Sequence, residues 1–290
     1  MFKKYIVITG ASSGLGYEFA KSFAEINKNL ILIARRKELL ENLKQEINEL
    51  NPNINVIIKI ADLSNTENVY NIYNELKIYN IETWINNAGM GDYGYDIYDK
   101  NNIYKINKIE KMLKLNIEAL TIFSMLFIQD YKDVENTQLI NISSAGGYNI
   151  VFARVPYSST KFYVNAFTEG LSEELKTIGS KLKVKLLAPS ALTTEFTKKA
   201  LDDLNFEFPN NVIAHNAKQV SNFLLQLYYS DSVLGLVNRN TLQFKIQKPI
   251  FKYVHNDRIR ILYFNIIKKI AWWIPVRKWR NNFRKKFYIL

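Results

Sequence analysis

The chain has 290 residues, 48% of them hydrophobic, which is enough for one large α/β domain with an extension. It holds no cysteine, so disulfides and thiolate chemistry are excluded, and its two histidines, His215 and His255, are too far apart in sequence to suggest a metal site. The net charge of +12 is not evenly spread: residues 1–244 carry 26 Lys/Arg against 26 Asp/Glu, whereas 245–290 carry 13 against a single acid, Asp257.

The first predicted strand, 4–9, is a short apolar β-branched run. Gly10-Ala11-Ser12-Ser13-Gly14-Leu15-Gly16 follows, and a helix is predicted over 15–26. Strand, glycine-rich turn, helix is the arrangement that receives dinucleotide phosphates: glycines let the backbone approach, and the helix N-terminus offers free N–H groups. Gly10, Ser12, Ser13, Gly14, Leu15 and Gly16 are therefore the candidate phosphate-loop residues. A second strand, 29–34, ends not in an acid but in Ala34, followed by Arg35 and Arg36. Arginine matches a 2′-phosphate by charge and forked hydrogen bonding, so Arg35 is assigned to the cofactor and NADP(H) is expected in preference to NAD(H).

A helix at 37–50 and a strand at 55–60 lead to Asp62 and Leu63, placed at the adenine; Asp62 also suits a cap for the next helix, 66–77. Strands at 82–86, 137–142 and 182–188, and helices at 108–130, 157–178 and 216–229, continue the alternation. The pattern predicts an α/β fold, a Rossmann-type doubly wound parallel sheet in a single domain, 1–244. A seventh strand is placed at 234–244.

Tyr157 and Lys161 stand four residues apart on a predicted helix and so share a face. An ammonium beside a phenol favours the phenolate, which moves a tyrosine toward acid/base work near neutral pH. Ser144 lies thirteen positions upstream of Tyr157, after a strand. These parts suit proton transfer to a carbonyl oxygen while a bound nicotinamide delivers hydride. Tyr148, Phe152, Phe196, Phe206 and Phe208 are candidates for an apolar substrate wall.

Thr9-Gly10-x3-Gly14-x-Gly16, Asn86-Asn87-Ala88-Gly89, Asn116, Ser144 and Tyr157-x3-Lys161, in this order, resemble the short-chain dehydrogenase/reductase family over residues 3 to 235. The resemblance implies an NAD(P)-dependent oxidoreductase acting on CH–OH and C=O groups. It implies Tyr157 as acid/base, Lys161 on the nicotinamide ribose, Ser144 on the substrate carbonyl, and Asn116 as holder of a relay water. Asn87, Ala88, Gly89 and Pro189 would line the cofactor, and Thr194 would meet the nicotinamide carboxamide. Relatives carry Pro-Gly where this chain has Pro189-Ser190, which puts the shape of that loop in question. The family also implies a homodimer or homotetramer built on the helices at 108–130 and 157–178.

Residues 245–290 form a basic, aromatic extension holding Trp272, Trp273 and Trp279. Ile259, Leu262, Ile266, Ile270 and Trp273 gather on one helical arc, and Pro275 ends the pattern. No run in it reaches the ~20 apolar residues that span a bilayer. A basic, Trp-bearing amphipathic segment suits an anionic membrane surface. A packed arm is the second reading of this tail and nucleic acid a distant third. The expected setting is cytoplasmic, peripheral at the inner face of the membrane. The rival function is a membrane-associated nucleotide-binding scaffold or redox sensor with little turnover, against which the intact Ser-Tyr-Lys set argues.

Overall fold

We describe residues 3–94, 103–203, 205–207 and 214–254 of a computed structural model of the chain. The apolar runs form the strands β1 (Lys4–Thr9), β2 (Asn29–Ala34), β3 (Val56–Ile60), β4 (Asn80–Asn86), β5 (Gln138–Ile142), β6 (Lys183–Ala188) and β7 (Leu234–Val237). These pair in parallel in the order β3-β2-β1-β4-β5-β6-β7. A last strand, β8 (Phe244–Gln247), adds antiparallel to β7. The helices between them are α1 (Gly14–Glu25), α2 (Lys37–Leu50), α3 (Thr66–Leu76), α4 (Ile103–Leu113), α5 (Leu120–Tyr131), α6 (Val155–Thr177), α7 (Glu195–Ala200) and α8 (Ala217–Tyr229).

Both faces of the sheet are covered, which is why its strands read as near-continuous apolar runs. Ile6 and Ile8 share one core with Phe19 and Phe23 of α1 and Leu224 of α8. Val7 and Ile33 share the other with Trp84, whose ring packs on Phe123 and Phe127 of α5. Strand order reverses beside β1, where β2 and β4 diverge, and ligands of such sheets bind in the crevice that opens there.

A buried polar chain braces this region. Trp84 Nε1 donates to Asn86 Oδ1 (2.9 Å), Asn86 Nδ2 donates to Ser124 Oγ (3.1 Å) and Asn141 Oδ1 (2.9 Å), and Asn141 Nδ2 donates to Thr168 Oγ1 (2.9 Å). Asn86 is thus a strut between β4, β5 and α5, and Asn141 carries the link on to α6.

Three expectations change. The strand expected over 234–244 is a hairpin: after Val237, Asn238 Oδ1 accepts from the N–H groups of Asn240 (2.8 Å) and Thr241 (2.9 Å), and the chain turns back into β8. The boundary expected between 244 and 245 therefore falls inside a strand. The compact unit runs through Phe251, with a second unit over Lys252–Leu290. Past β8, the N–H groups of Ile250 and Phe251 donate to the buried Glu169 carboxylate on α6, each at 2.8 Å.

The helix expected at 108–130 is α4, a π-helical turn at Lys114–Ala119, and α5. By length and composition Tyr104–Tyr131 could cross a membrane, but Phe123 and Phe127 are buried in the second core, as in the core helix of a globular domain. The short α7 was not anticipated. The remaining expected strands and helices recur within two residues of their expected ends. Of the extension, only 245–254 lie among the described residues.

Candidate active site

β1 delivers Thr9 to the crevice. Its hydroxyl accepts from the N–H groups of Asn87 and Ala88, both at 2.9 Å. The Asn87 side chain donates back to the carbonyls of Thr9 (2.9 Å) and Gly10 (3.3 Å), so the segment after β4 is laced to the glycine loop. Gly10 sits at φ +69 and Gly14 at φ +59, a left-handed backbone that glycine adopts freely. A Cβ on Gly16 would lie 2.4 Å from the Gly10 carbonyl, so α1 meets the loop at a distance that excludes a side chain. A Cβ on Gly14 would meet nothing within 4 Å, which leaves an open backbone edge at the α1 N-terminus. That is a fitting cradle for a dinucleotide pyrophosphate.

Arg36 reaches this loop. Its Nε and Nη2 donate to Ser12 Oγ (3.3 and 3.1 Å), Nη2 also donates to Ser13 Oγ, and Nη1 donates to both carboxylate oxygens of Glu195 (3.3 Å each). Arg35, the residue assigned from sequence, instead approaches Asp62 (3.7 Å), although both arginines line the cleft. Burial opposes ionisation of Asp62, but hydrogen bonds from Ser64 and the charges of Arg35 and Lys111 outweigh it and hold the carboxyl below its usual range. Asp62 is not the cap of α3. That role falls to Asn65, which accepts from the Glu67 N–H at 2.9 Å.

Ser144, Tyr157 and Lys161 line the same cleft, a cavity of about 1070 Å³ that runs from the glycine loop to α7. Tyr157, on the first turn of α6, is 9% exposed. Its ring meets Tyr93 (centroids 5.6 Å apart) and Phe196 (5.7 Å). Burial pushes its phenol well above the ordinary tyrosine value and the Tyr93 phenol adds to this, while a hydrogen bond with Ser144 and the charge of Arg154 pull the other way. Lys161 Nζ lies 5.8 Å from the Tyr157 ring centroid and donates to the Ile142 carbonyl at 3.2 Å. Burial draws its pKa down to about 8. The spacing argument thus brings the ammonium to the phenol's ring, but burial rather than Lys161 governs the acidity of Tyr157.

Asn116 sits in the π-helical turn, 1% exposed. Its Oδ1 accepts from the Met90 N–H (2.9 Å), and its Nδ2 donates to the Met90 carbonyl (2.8 Å) and Thr160 Oγ1 (3.1 Å). Its side chain therefore fixes the segment after Gly89 and the turn of α6 next to Lys161. Thr194 is the N-cap residue of α7 and lines the cleft, as do Leu15, Leu63, Ala88, Gly89 and Pro189. The Pro189 carbonyl accepts from the Ala145 N–H at 2.7 Å. Ser190 has no positive φ, so the residue standing where relatives carry glycine needs none of glycine's freedom.

Of the expected apolar wall, Phe152, Phe196 and Phe206 line the cleft. Tyr148 turns away to hydrogen-bond Glu169 and pack on Phe251, and Phe208 lies outside the described residues. Sequence reading missed Tyr93, Arg154 and Glu195. Asp92, next to Tyr93 in the chain, is buried and ion-paired to Lys105 (2.8 Å) and Lys108 (3.1 Å) of α4. Arg154 could have been found, because it lies one helical turn before Tyr157; Tyr93 and Glu195 carry no sequence signal.

A parallel sheet with a glycine cradle at its switch point, and a serine, tyrosine and lysine in the same crevice, defines a dinucleotide-dependent enzyme. The short chain dehydrogenase family model matches residues 4–205. The chain belongs to that family and is an NAD(P)-dependent oxidoreductase acting on CH–OH and C=O groups. An uncharacterised oxidoreductase of Staphylococcus saprophyticus is 30% identical over 203 residues, 69% of this chain and 78% of the relative. A very-long-chain 3-oxoacyl-CoA reductase of Danio rerio is 27% identical over 255 residues, 87% of this chain and 79% of the relative. Among solved structures, a short-chain dehydrogenase from Sphingobium yanoikuyae in complex with NADPH superposes with a TM-score of 0.68 at 22% identity, covering 94% of this chain and 97% of that one. A bulky-bulky ketone specific alcohol dehydrogenase from Comamonas testosteroni gives 0.65 at 21% identity, covering 94% and 95%.

Proposed function

We propose that the protein is an NADPH-dependent carbonyl reductase working on ketones with an apolar body, with Tyr157 as the proton donor. The observation that carries this reading is the single cleft joining the glycine cradle to Ser144, Tyr157 and Lys161. The bound nicotinamide supplies the hydride chemistry, and the chain supplies orientation and the proton. The Gly10–Gly16 turn would hold the pyrophosphate, and Arg36 and Arg35 would favour the extra phosphate of NADP(H) over NAD(H). Ser144 donates a hydrogen bond to the substrate carbonyl oxygen and so stabilises negative charge that builds on it. Tyr157, kept protonated by burial, passes its phenolic proton to that oxygen. Lys161, which donates to the Ile142 carbonyl, steadies the end of β5 beside the reacting centre. Phe196, Phe152, Leu192 and Val151 give the substrate side of the cleft its apolar wall.

The test is purified protein with NADPH and a panel of aryl and alkyl ketones. Tyr157→Phe is expected to cut turnover by about 10²-fold or more while NADPH still binds. Undiminished turnover in that variant overturns the assignment.

The basic extension fits an anionic membrane surface, on the strength of its sequence, with the enzyme peripheral at the cytoplasmic side. Vesicles containing phosphatidylserine should pellet the full chain and not a chain ended at Phe251; equal pelleting of both removes the membrane role. A homodimer or homotetramer through α5 and α6 is in keeping with the exposed Met125 and Tyr163 on those helices.

A further inference from the structure

Arg154 is the one half-buried guanidinium of the cleft that, among the described residues, has no carboxylate partner. The other cations lining the cavity are accounted for. Arg35 approaches Asp62, Arg36 and Lys199 hold Glu195, and Lys161 donates to a backbone carbonyl, while Arg239 is exposed to water. A half-shielded guanidinium with no carboxylate beside it keeps N–H donors that a carboxylate can take.

The backbone around Arg154 is built to hold it there. Ala153, just before it, sits at φ +56, a left-handed conformation that costs a non-glycine residue about 1 kcal/mol or more. The strained residue is pinned by the Gly94 N–H donating to its carbonyl at 2.9 Å. Arg154 itself is tied by its N–H to the Val151 carbonyl (3.1 Å), and its own carbonyl receives the Ser158 N–H (2.8 Å). Its guanidinium lies over the Tyr93 ring, 3.9 Å from the centroid, and Tyr93 packs edge-on against Tyr157 at 5.6 Å. One face of the fork is therefore occupied by an aromatic ring, and a single ring separates it from the proton donor. Stacking fixes the plane in which its N–H groups can meet a planar acceptor.

We propose that Arg154 is the anchor for a carboxylate on the substrate, so that the preferred carbonyl compounds are keto acids with an apolar body. The inference rests on the reductase reading and names its substrate class. The fork matches a carboxylate through two parallel hydrogen bonds, while Phe196, Leu192 and Val151 on the same cleft wall receive the rest of the molecule. The anchor also bears on the proton. Arg154 draws the Tyr157 phenol toward ionisation, and a carboxylate seated on Arg154 cancels that pull. The acidic substrate thereby leaves the phenol protonated, as donation to a developing alkoxide requires.

The experiment uses the full chain loaded with NADPH and matched pairs of ketones: levulinate, benzoylformate and benzoylpropionate, each against its methyl ester. Two readouts are taken, turnover and saturation-transfer NMR of ligand binding. In the wild type, kcat/KM for the acids should exceed that for the esters by about thirtyfold, mainly through KM. Arg154→Met, which keeps an apolar stem on Tyr93, should bring the ratio to about one; Arg154→Lys should keep part of it, because a point charge replaces the fork. A purely structural role for Arg154 would not move the ratio. A wild-type ratio near one, a ratio unchanged in Arg154→Met, or no binding by any of the acids overturns the proposal. Turnover without acid preference removes the anchor and leaves the reductase standing. Acid binding that Arg154→Met abolishes, without turnover, keeps the anchor and removes the reductase.

Discussion

Glu195→Gln should tighten NADPH binding. Glu195 opens α7, and its carboxylate already occupies the groups that a dinucleotide phosphate would want. Arg36 Nη1 donates to both its oxygens at 3.3 Å, and Lys199 Nζ lies 2.9 Å away. The same guanidinium holds the hydroxyls of Ser12 and Ser13 on the phosphate loop. Burial works against ionisation of Glu195, but Lys199, Arg36 and Ser13 outweigh it and hold the carboxyl below its usual range, so it is charged at neutral pH. A phosphate entering the cradle must share these donors with a fixed negative charge. The Arg36 and Glu195 side chains are 37% and 40% exposed, so their pairing is worth no more than about 1 kcal/mol. Relief of that competition corresponds to about a fivefold fall in Kd. Glutamine keeps the shape and a carbonyl acceptor for Arg36, which separates charge from packing. Calorimetric titration with NADPH at low salt should show the gain, and the gap between wild type and variant should close near ~1 M salt, where the Debye length is about 3 Å. Weaker binding in Glu195→Gln at low salt would refute the reasoning, and would mean that the carboxylate orients Arg36 for the cofactor instead of competing with it.

Two further outcomes follow from the fold. Gly16→Ala places a methyl 2.4 Å from the Gly10 carbonyl and 2.6 Å from Asn87 Nδ2, so the phosphate loop must shift; thermal melts should report a loss of about 1–3 kcal/mol and titration a loss of NADPH affinity, and a variant matching the wild type in both counts against the packing described. Lys185, buried in β6, donates to the carbonyls of Leu227 (2.9 Å), Tyr228 (2.9 Å) and Ser230 (2.6 Å) at the end of α8, and burial lowers its pKa from 10.5 to about 8. Because the unfolded chain binds this proton more tightly, the contribution of Lys185 to stability should rise as pH climbs from about 8 toward 10.5; denaturant unfolding of wild type and Lys185→Met across that window checks it, and a pH-independent difference refutes it.

What the sequence disclosed and what it withheld divide along a physical line. Strands β1 to β6 and the helices α1, α2, α3, α6 and α8 follow from local patterns, because burial on both faces writes itself into runs and periodicities a few residues long. The phosphate loop was legible for the same reason: its glycines, φ values and helix start are neighbours in the chain. Asn65 took the capping role weighed for Asp62 because the side chain next to the helix reaches its N–H groups first. That Arg36 and not Arg35 meets Ser12 and Ser13 is a matter of side-chain direction at the end of β2 that adjacency does not encode. Tyr93 and Glu195 were invisible because their partners lie far off in sequence: Tyr93 meets Tyr157 and Phe196, and Glu195 meets Arg36. The hairpin of β7 and β8 reads as one strand in the sequence because two apolar stretches flank a short polar turn, with Leu242 in a left-handed conformation that sequence does not announce.

The same division explains the Tyr157–Lys161 pair. Four-residue spacing on a helix puts the two side chains on one face, and they are on one face. It says nothing of how much water remains around them. Both are more than nine-tenths shielded, and that loss of water disfavours both charged forms, raising the phenol and lowering the amine. A tyrosine held protonated is suited to giving a proton to a developing alkoxide, which is more basic than any phenolate. It is poorly suited to taking one from an alcohol, since that direction needs the phenolate first. The groups that draw the phenol down, Ser144 and Arg154, both line the same cleft, so a ligand that engages either of them there changes the acidity of the phenol. On the proposal that the substrate engages Ser144 through its carbonyl and Arg154 through an acid, both influences would be withdrawn at once and the phenol would stay protonated.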